Sequence, residues 1–163
     1  MECKFSESGV GSQLELSFGK NIVISKGKTN RTMKEFHRED HEPPYVIDKL
    51  GWKYHHLGIP VKDPVPGEVY YPHLKIHVCG FSTSPFGIEW MRFDDDCPIA
   101  ELVKTVPHIA YEVEDIDKEL REHGFEILSP PSVPSQGVRA AMIMHNGAPV
   151  ELIEFKRGIR KKA

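Results

Sequence analysis

The sequence predicts an α+β chain in which one β-α-β-β-β unit is used twice. Three observations lead there: strand-like alternation from residue 52 onward, one well-capped helix, and an internal repeat. The 163 residues fit one domain or two very small ones. With 39% hydrophobic and 28% charged residues the chain is globular and long enough to bury a core without metal or disulfide staples.

Residues 1–50 are expected to form an N-terminal extension that packs on the main body. Gln13–Phe18 alternates polar and apolar and Asn21–Ser25 is β-branched, so a hairpin can form there. Arg31–His41 is charged, and Pro43-Pro44 stops any helix. Lys53–Val61 reads as a strand with Leu57, Ile59 and Val61 on one face and His56, Gly58 and Pro60 on the other, polar one. Leu74–Phe81 is a second strand, residues 82–87 a turn, and Ile88–Phe93 the returning strand. His108–Val113 opens the second half. Asp115 is an N-cap for a helix over 116–123, carrying Ile116 and Leu120 four apart, and Gly124 ends it. Phe125–Leu128 is a short strand ended by Ser129-Pro130-Pro131. Val138–Met144 and Val150–Phe155 flank a turn centred on Asn146-Gly147. The expected organisation is thus an extension (1–50), a first module (51–96), a second module (97–157) and a basic tail (158–163).

The repeat is explicit. His56-Leu-Gly-Ile-Pro-Val-Lys-Asp63 matches His108-Ile-Ala-Tyr-Glu-Val-Glu-Asp115, and Gly87-Ile-Glu89-Trp-Met-Arg-Phe93 matches Pro149-Val-Glu151-Leu-Ile-Glu-Phe155. The helix 116–123 has no counterpart in the first half, which offers only Pro64-Val65-Pro66-Gly67. Such self-similarity means one supersecondary unit used twice, neither copy burying its apolar face alone.

Composition excludes several classes. A net charge of −3 gives no bulk attraction to nucleic acid or anionic membrane. Cys3, Cys79 and Cys97 include no C-x-x-C pair, so neither a disulfide framework nor a thiolate zinc site is expected. The longest aliphatic run, Ala140–Met144, is far short of the ~20 residues of a membrane helix, and Met1-Glu2-Cys3-Lys4 lacks a signal peptide's apolar core. A cytoplasmic protein is the expectation, with Asn30-Arg31-Thr32 a chance match to a glycosylation sequon. Phosphate loops, nucleophile elbows and H-E-x-x-H do not occur in the sequence.

Nine histidines are the compositional oddity, and histidine is the commonest metal ligand. The repeat selects two of them. If a pseudo-twofold relates the halves, His56, Glu89, His108 and Glu151 converge into a mixed nitrogen and oxygen metal site. Four ligands on an ion that accepts six leave an open, catalytic arrangement. His55 is the rival of His56, but strand alternation points it to the opposite face. Glu154 should face away from the site. His37 and His41 lie in a solvated charge run, and His73, His77, His123 and His145 suggest no partners. Asp94-Asp95-Asp96 reads as a linker turn, and Trp52, Trp90 and Met142 as core.

At these residues the chain resembles the vicinal oxygen chelate superfamily, the glyoxalase/bleomycin-resistance/dioxygenase group. The strings that carry the resemblance are His56–Asp63, His108–Asp115 and Val150–Phe155, within residues 52–157. The resemblance implies two tandem βαβββ modules whose mixed sheets curl into a cup, here with the first helix reduced or absent. It implies divalent-metal ligands on the first and fourth strands of each module: His56, Glu89, His108 and Glu151. This set is most similar to that of bacterial lactoylglutathione lyases. Methylmalonyl-CoA epimerases have Gln in the place of Glu89, extradiol dioxygenases use two His and one Glu on iron, and bleomycin-binding members carry no metal. The implied activity is that of a lyase, isomerase or epimerase. It would bind adjacent oxygens of a small carbonyl or thioester substrate and transfer a proton through an enediolate, with Glu151 or Glu89 as the base. Zn, Ni or Co is the implied metal, with Fe or Mn as alternatives, and a homodimer is a common state. A non-catalytic ligand-binding protein and an iron dioxygenase are the alternative readings. Module one departs from the lyases in lacking their long insert, which helps build the substrate wall.

Overall fold

The computed structural model describes residues 38–156. The hairpin expected over 13–25, the sequon, Cys3, His37 and the basic tail lie outside the described residues. Eight strands form one mixed sheet in the order β2-β3-β4-β1-β5-β8-β7-β6. Module one supplies β1 (Lys53–Pro60), β2 (Val69–Tyr71), β3 (Ile76–Cys79) and β4 (Ile88–Phe93). Module two supplies β5 (His108–Glu112), α3 (Ile116–His123), β6 (Glu126–Ser135), β7 (Val138–His145) and β8 (Ala148–Phe155). Two short helices, α1 (Tyr45–Asp48) and α2 (Glu101–Thr105), precede the modules in turn. The curled sheet and the missing first helix agree with the expected class.

The pairing registers show why the repeat exists. Within module one, parallel β1 and β4 set Gly58 opposite Glu89; within module two, parallel β5 and β8 set Ala110 opposite Glu151. Gly58 and Ala110 are themselves repeat equivalents. Between modules, antiparallel β1 and β5 pair His56 with Ala110, Leu57 with Ile109 and Gly58 with His108. Exchanging the two strands leaves this pairing unchanged, so the pseudo-twofold passes between Leu57 and Ile109.

Residues paired across strands share a face. One face carries Ile109, Tyr111, Val150, Leu152 and Ile143, and α3 packs there. Ile116 and Leu152 are fully buried in that core, with Trp52 edged by Tyr111 and Phe125 at ring separations of 5.7 and 5.8 Å. Val46 and Leu50, around α1, pack against the same cluster. α1 begins directly after Pro44, because proline obstructs a helix interior but not its start. α3 runs as the capping signals predict: Asp115 Oδ1 accepts from Lys118 N at 2.9 Å, and Gly124 takes the left-handed conformation. The β7–β8 turn holds both central residues, Asn146 and Gly147, at positive φ, which Asn and Gly tolerate.

Three local expectations need correction. Phe125–Leu128 does not stop at the prolines: β6 continues to Ser135 with three register shifts. It is an edge strand, where a missing N–H can face outward, so Pro130, Pro131 and Pro134 are tolerated. His77 and His123 have partners: His77 Nε2 lies 3.0 Å from Asp94 Oδ1, and His123 Nε2 lies 3.1 Å from Glu119 Oε2. His73 Nε2 also reaches Pro134 O at 2.7 Å. Finally, Asp94 is more than a linker turn. It accepts from Tyr70 Oη at 2.8 Å, beside an Arg92–Glu68 pair at 2.6 Å. Tyr70, His77 and Arg92 form a row across β2, β3 and β4 on the face that a first-module helix would cover. A polar row can meet water, so no helix is required there.

Candidate metal centre

The four residues selected by the repeat stand on four adjacent strands of one chain, β4-β1-β5-β8. Their registers project all four side chains from the face opposite α3. That face is not polar and solvated, as alternation predicts for His56 and His108. The curl of the sheet turns it inward, leaving His56 5% and His108 1% exposed.

His56 Nε2 and His108 Nε2 approach the same oxygen, Glu151 Oε2, at 3.3 and 3.5 Å. One ligand atom each of His56, His108 and Glu151 lies within 4.8 Å of the others. Glu89 Oε2 is 3.6 Å from His56 Nε2, at the margin of this group. His56 Nε2 and both ring nitrogens of His108 are buried without a hydrogen-bond partner among the described residues. Each such orphan costs roughly 1–3 kcal/mol, and the two Nε2 atoms face the carboxylates of Glu151 and, for His56, Glu89. An ion about 2.1 Å from two ligands at the tetrahedral angle separates them by about 3.4 Å. The observed spacings and the imidazole and carboxylate donors therefore fit a divalent ion.

The electrostatics fit as well. Burial, reinforced by the nearby Glu151 charge, pushes the Glu89 carboxyl up to about 7. Burial lowers His56 to about 4, overcoming the opposing pull of Glu151. A site that holds its imidazole neutral presents a free lone pair, the form that binds metal.

Two neighbours hold the histidines. Gly58 faces His108 directly, and a Cβ there would stand 2.1 Å from its Cε1. Only glycine leaves room for the ring. The second neighbour, His55, does not point to the opposite face. The β1–β5 register slips between Tyr54 and His56, a bulge that turns His55 toward His56. The two Nδ1 atoms are 2.8 Å apart, and the His55 ring stacks on Phe81 at 5.0 Å. Burial lowers the His55 pKa. Glu154 does face away: its Oε2 accepts from Ile116 N and Arg139 Nη1, both at 3.0 Å.

Two four-stranded modules pair through their first strands, and each module's first and fourth strands carry one His and one Glu to the inner face. This curled, mixed eight-stranded sheet is consistent with the paired βαβββ fold that the sequence resemblance implies. No protein-family model matches the chain, and no curated protein does. Similar solved structures include methylmalonyl-CoA epimerase from Mycobacterium tuberculosis, 22% identical over 63% of this chain and 87% of that one, with a TM-score of 0.46. A glyoxalase family protein from Enterococcus faecalis is 21% identical, covering 68% and 83% of the two chains, with a TM-score of 0.29. A glyoxalase/bleomycin resistance protein/dioxygenase from Nocardioides is 17% identical, covering 73% and 77%, with a TM-score of 0.28. These figures bear on neither reaction nor ligand.

A groove of about 790 Å³ opens on the other face, between residues 38–49 and Tyr111, Phe125, Ile143 and Val150. The sheet separates it from the histidines. Among the described residues no helix is long and apolar enough to cross a membrane.

Proposed function

We propose that this chain is a divalent-metal-dependent enzyme of the glyoxalase type, a lyase, isomerase or epimerase acting on a small substrate with adjacent oxygens. The cluster of buried, unpartnered imidazole nitrogens facing Glu151 carries this reading. His56, His108 and Glu151 would hold the ion, with Glu89 as a fourth, more loosely placed ligand. A bound Zn, Ni or Co ion supplies Lewis acidity, polarising a substrate carbonyl so that a neighbouring C–H becomes acidic. The chain's own part is to take that proton. Glu89, at the margin of the donor group, is free to reach the substrate carbon and return the proton to its other face or to an adjacent carbon. Glu151, which faces both histidines, would remain with them in holding the ion.

The experiment begins with metal content of the purified protein, then solvent-deuterium incorporation into hemithioacetal, α-hydroxyketone and acyl-thioester substrates. His56→Ala and His108→Ala should lose the metal. Glu89→Gln should retain it and lose exchange. If Glu89→Gln keeps the metal and full exchange, the assignment of Glu89 as the base is wrong. A wild-type protein that binds no divalent ion ends the enzyme reading.

A second reading has one observation in its favour. The tight group is two His and one Glu, with Glu89 apart, which is also the donor set of non-haem iron oxygenases. Iron as the retained metal, with oxygen uptake that survives Glu89→Gln, would select it.

A further inference from the structure

We propose that His55 is a positioning residue for His56: its Nδ1 accepts the Nδ1–H of His56, fixing that tautomer and aiming His56 Nε2 into the donor group. The inference rests on the donor group being a metal centre. Nitrogens 2.8 Å apart are at hydrogen-bond distance, and of two facing ring nitrogens one must donate and the other accept. Metal binding through Nε2 requires a lone pair there, so the His56 proton sits on Nδ1. It then donates to His55, whose own proton is on Nε2.

His55 is itself held. The bulge turns it inward, Phe81 stacks on it at 5.0 Å with ring planes 16° apart, and the Phe155 ring lies 5.5 Å away, tilted against it. His108 contrasts with His56. Its Nδ1 has no hydrogen-bond partner among the described residues, and the close backbone of Gly58 holds its ring instead. One histidine is oriented by a hydrogen bond and the other by packing, so nothing at His108 duplicates the work of His55.

The test combines imidazole ¹⁵N spectra of the metal-free protein with calorimetric titration of Zn²⁺ alone. His55→Phe keeps a stacking ring and removes the acceptor, whereas His55→Asn sets an acceptor oxygen near the lost Nδ1. We expect the Nδ1–H tautomer at His56 in the wild type. Zn²⁺ affinity should fall ~10–100-fold in His55→Phe, the usual effect of removing such a partner, and recover in part in His55→Asn. Thermal unfolding of each variant reports its folding; should His55→Phe not fold, the wild-type tautomer and the His55→Asn affinity carry the test. An Nε2–H tautomer at His56 overturns the proposal. So does Zn²⁺ binding by His55→Phe as tight as the wild type's, or binding by His55→Asn as weak as that of His55→Phe. A wild type that binds no Zn²⁺ or other divalent ion sinks the metal-centre reading and this proposal together. A wild type that binds, with His55→Phe indistinguishable from it, sinks this proposal alone.

Discussion

Replacing Gly58 with Ala tests how the site is built from the backbone outward. Gly58 does not occupy the left-handed region, so alanine fits its backbone, and the swap by itself should stabilise the strand by about 0.4–1 kcal/mol. The obstacle is His108. A Cβ at Gly58 would lie 2.1 Å from Cε1, 2.5 Å from Nε2 and 2.7 Å from Nδ1. Carbon atoms in contact settle near 3.5 Å, so the ring must retreat by about 1.4 Å. His108 is 1% exposed and has no solvent to retreat into. Overpacking of this kind costs about 1–3 kcal/mol, which outweighs the backbone gain. The cost to metal binding is of similar size. A shift of about 1 Å is enough to lose roughly 10²-fold where geometry decides function, or about 2.7 kcal/mol. Urea unfolding with chelator present reads the first term, and Zn²⁺ titration reads the second. Gly58→Ala at least as stable as the wild type, with unchanged Zn²⁺ affinity, would refute the claim that Gly58 seats the ring.

The other predictions concern pH, the core and the helix start. In the metal-free protein Glu89 is raised to about 7 from an ordinary 4.5, so the fold holds a proton that the unfolded chain releases. Its stabilising contribution is complete below about pH 4.5 and lost as pH rises through 7. His56, lowered to about 4 from 6.5, acts oppositely: stability is lost as pH falls from 6.5 through 4. The two slopes oppose in the wild type. Glu89→Gln removes one, so with chelator present the variant should gain on the wild type between about pH 4.5 and 7; a constant difference in urea midpoint contradicts this. Leu152→Ala empties the fully buried centre beneath α3 and should cost about 2–5 kcal/mol by urea unfolding. Asp115→Ala removes the cap on Lys118 N and should cost about 1 kcal/mol, with the loss visible in amide exchange of the first turn of α3.

Module two was legible in sequence because its signals are local. Asp115, the Ile116–Leu120 spacing and Gly124 fix α3 without reference to the rest of the chain, and Asn146-Gly147 fixes the last hairpin. Edge effects were less legible. Pro130 and Pro131 read as a strand terminator unless the strand is known to lie at an edge, and edge position is a property of the whole sheet. β2 and α2 were missed for a similar reason. Every residue of β2 is exposed, so its sequence carries no alternation. α2 is a single turn with one buried side chain, Val103, and no side-chain cap.

At the site, the repeat did what single residues could not. His56 or Glu89 alone is an ordinary strand residue. Matched to His108 and Glu151, each gains a position that the registers Gly58–Glu89 and Ala110–Glu151 then reproduce. His55 marks where this reasoning fails. Alternation assumes a uniform pleat, and one extra residue between Tyr54 and His56 reverses the face of His55 without any glycine or proline to announce it. What the sequence did hold was the companion of that bulge. Phe81, just after the glycine that follows β3, and Phe155, at the end of β8, both meet His55. Neither aromatic is part of the repeat-matched donor set, and their shared contact exists only once the sheet has curled. A ligand set shared by two modules can be read from self-similarity. The residues that orient it break the symmetry: the repeat sets Gly58 against Ala110 and His55 against Pro107, and in each pair only the first-module residue touches a histidine of the donor group in the way described.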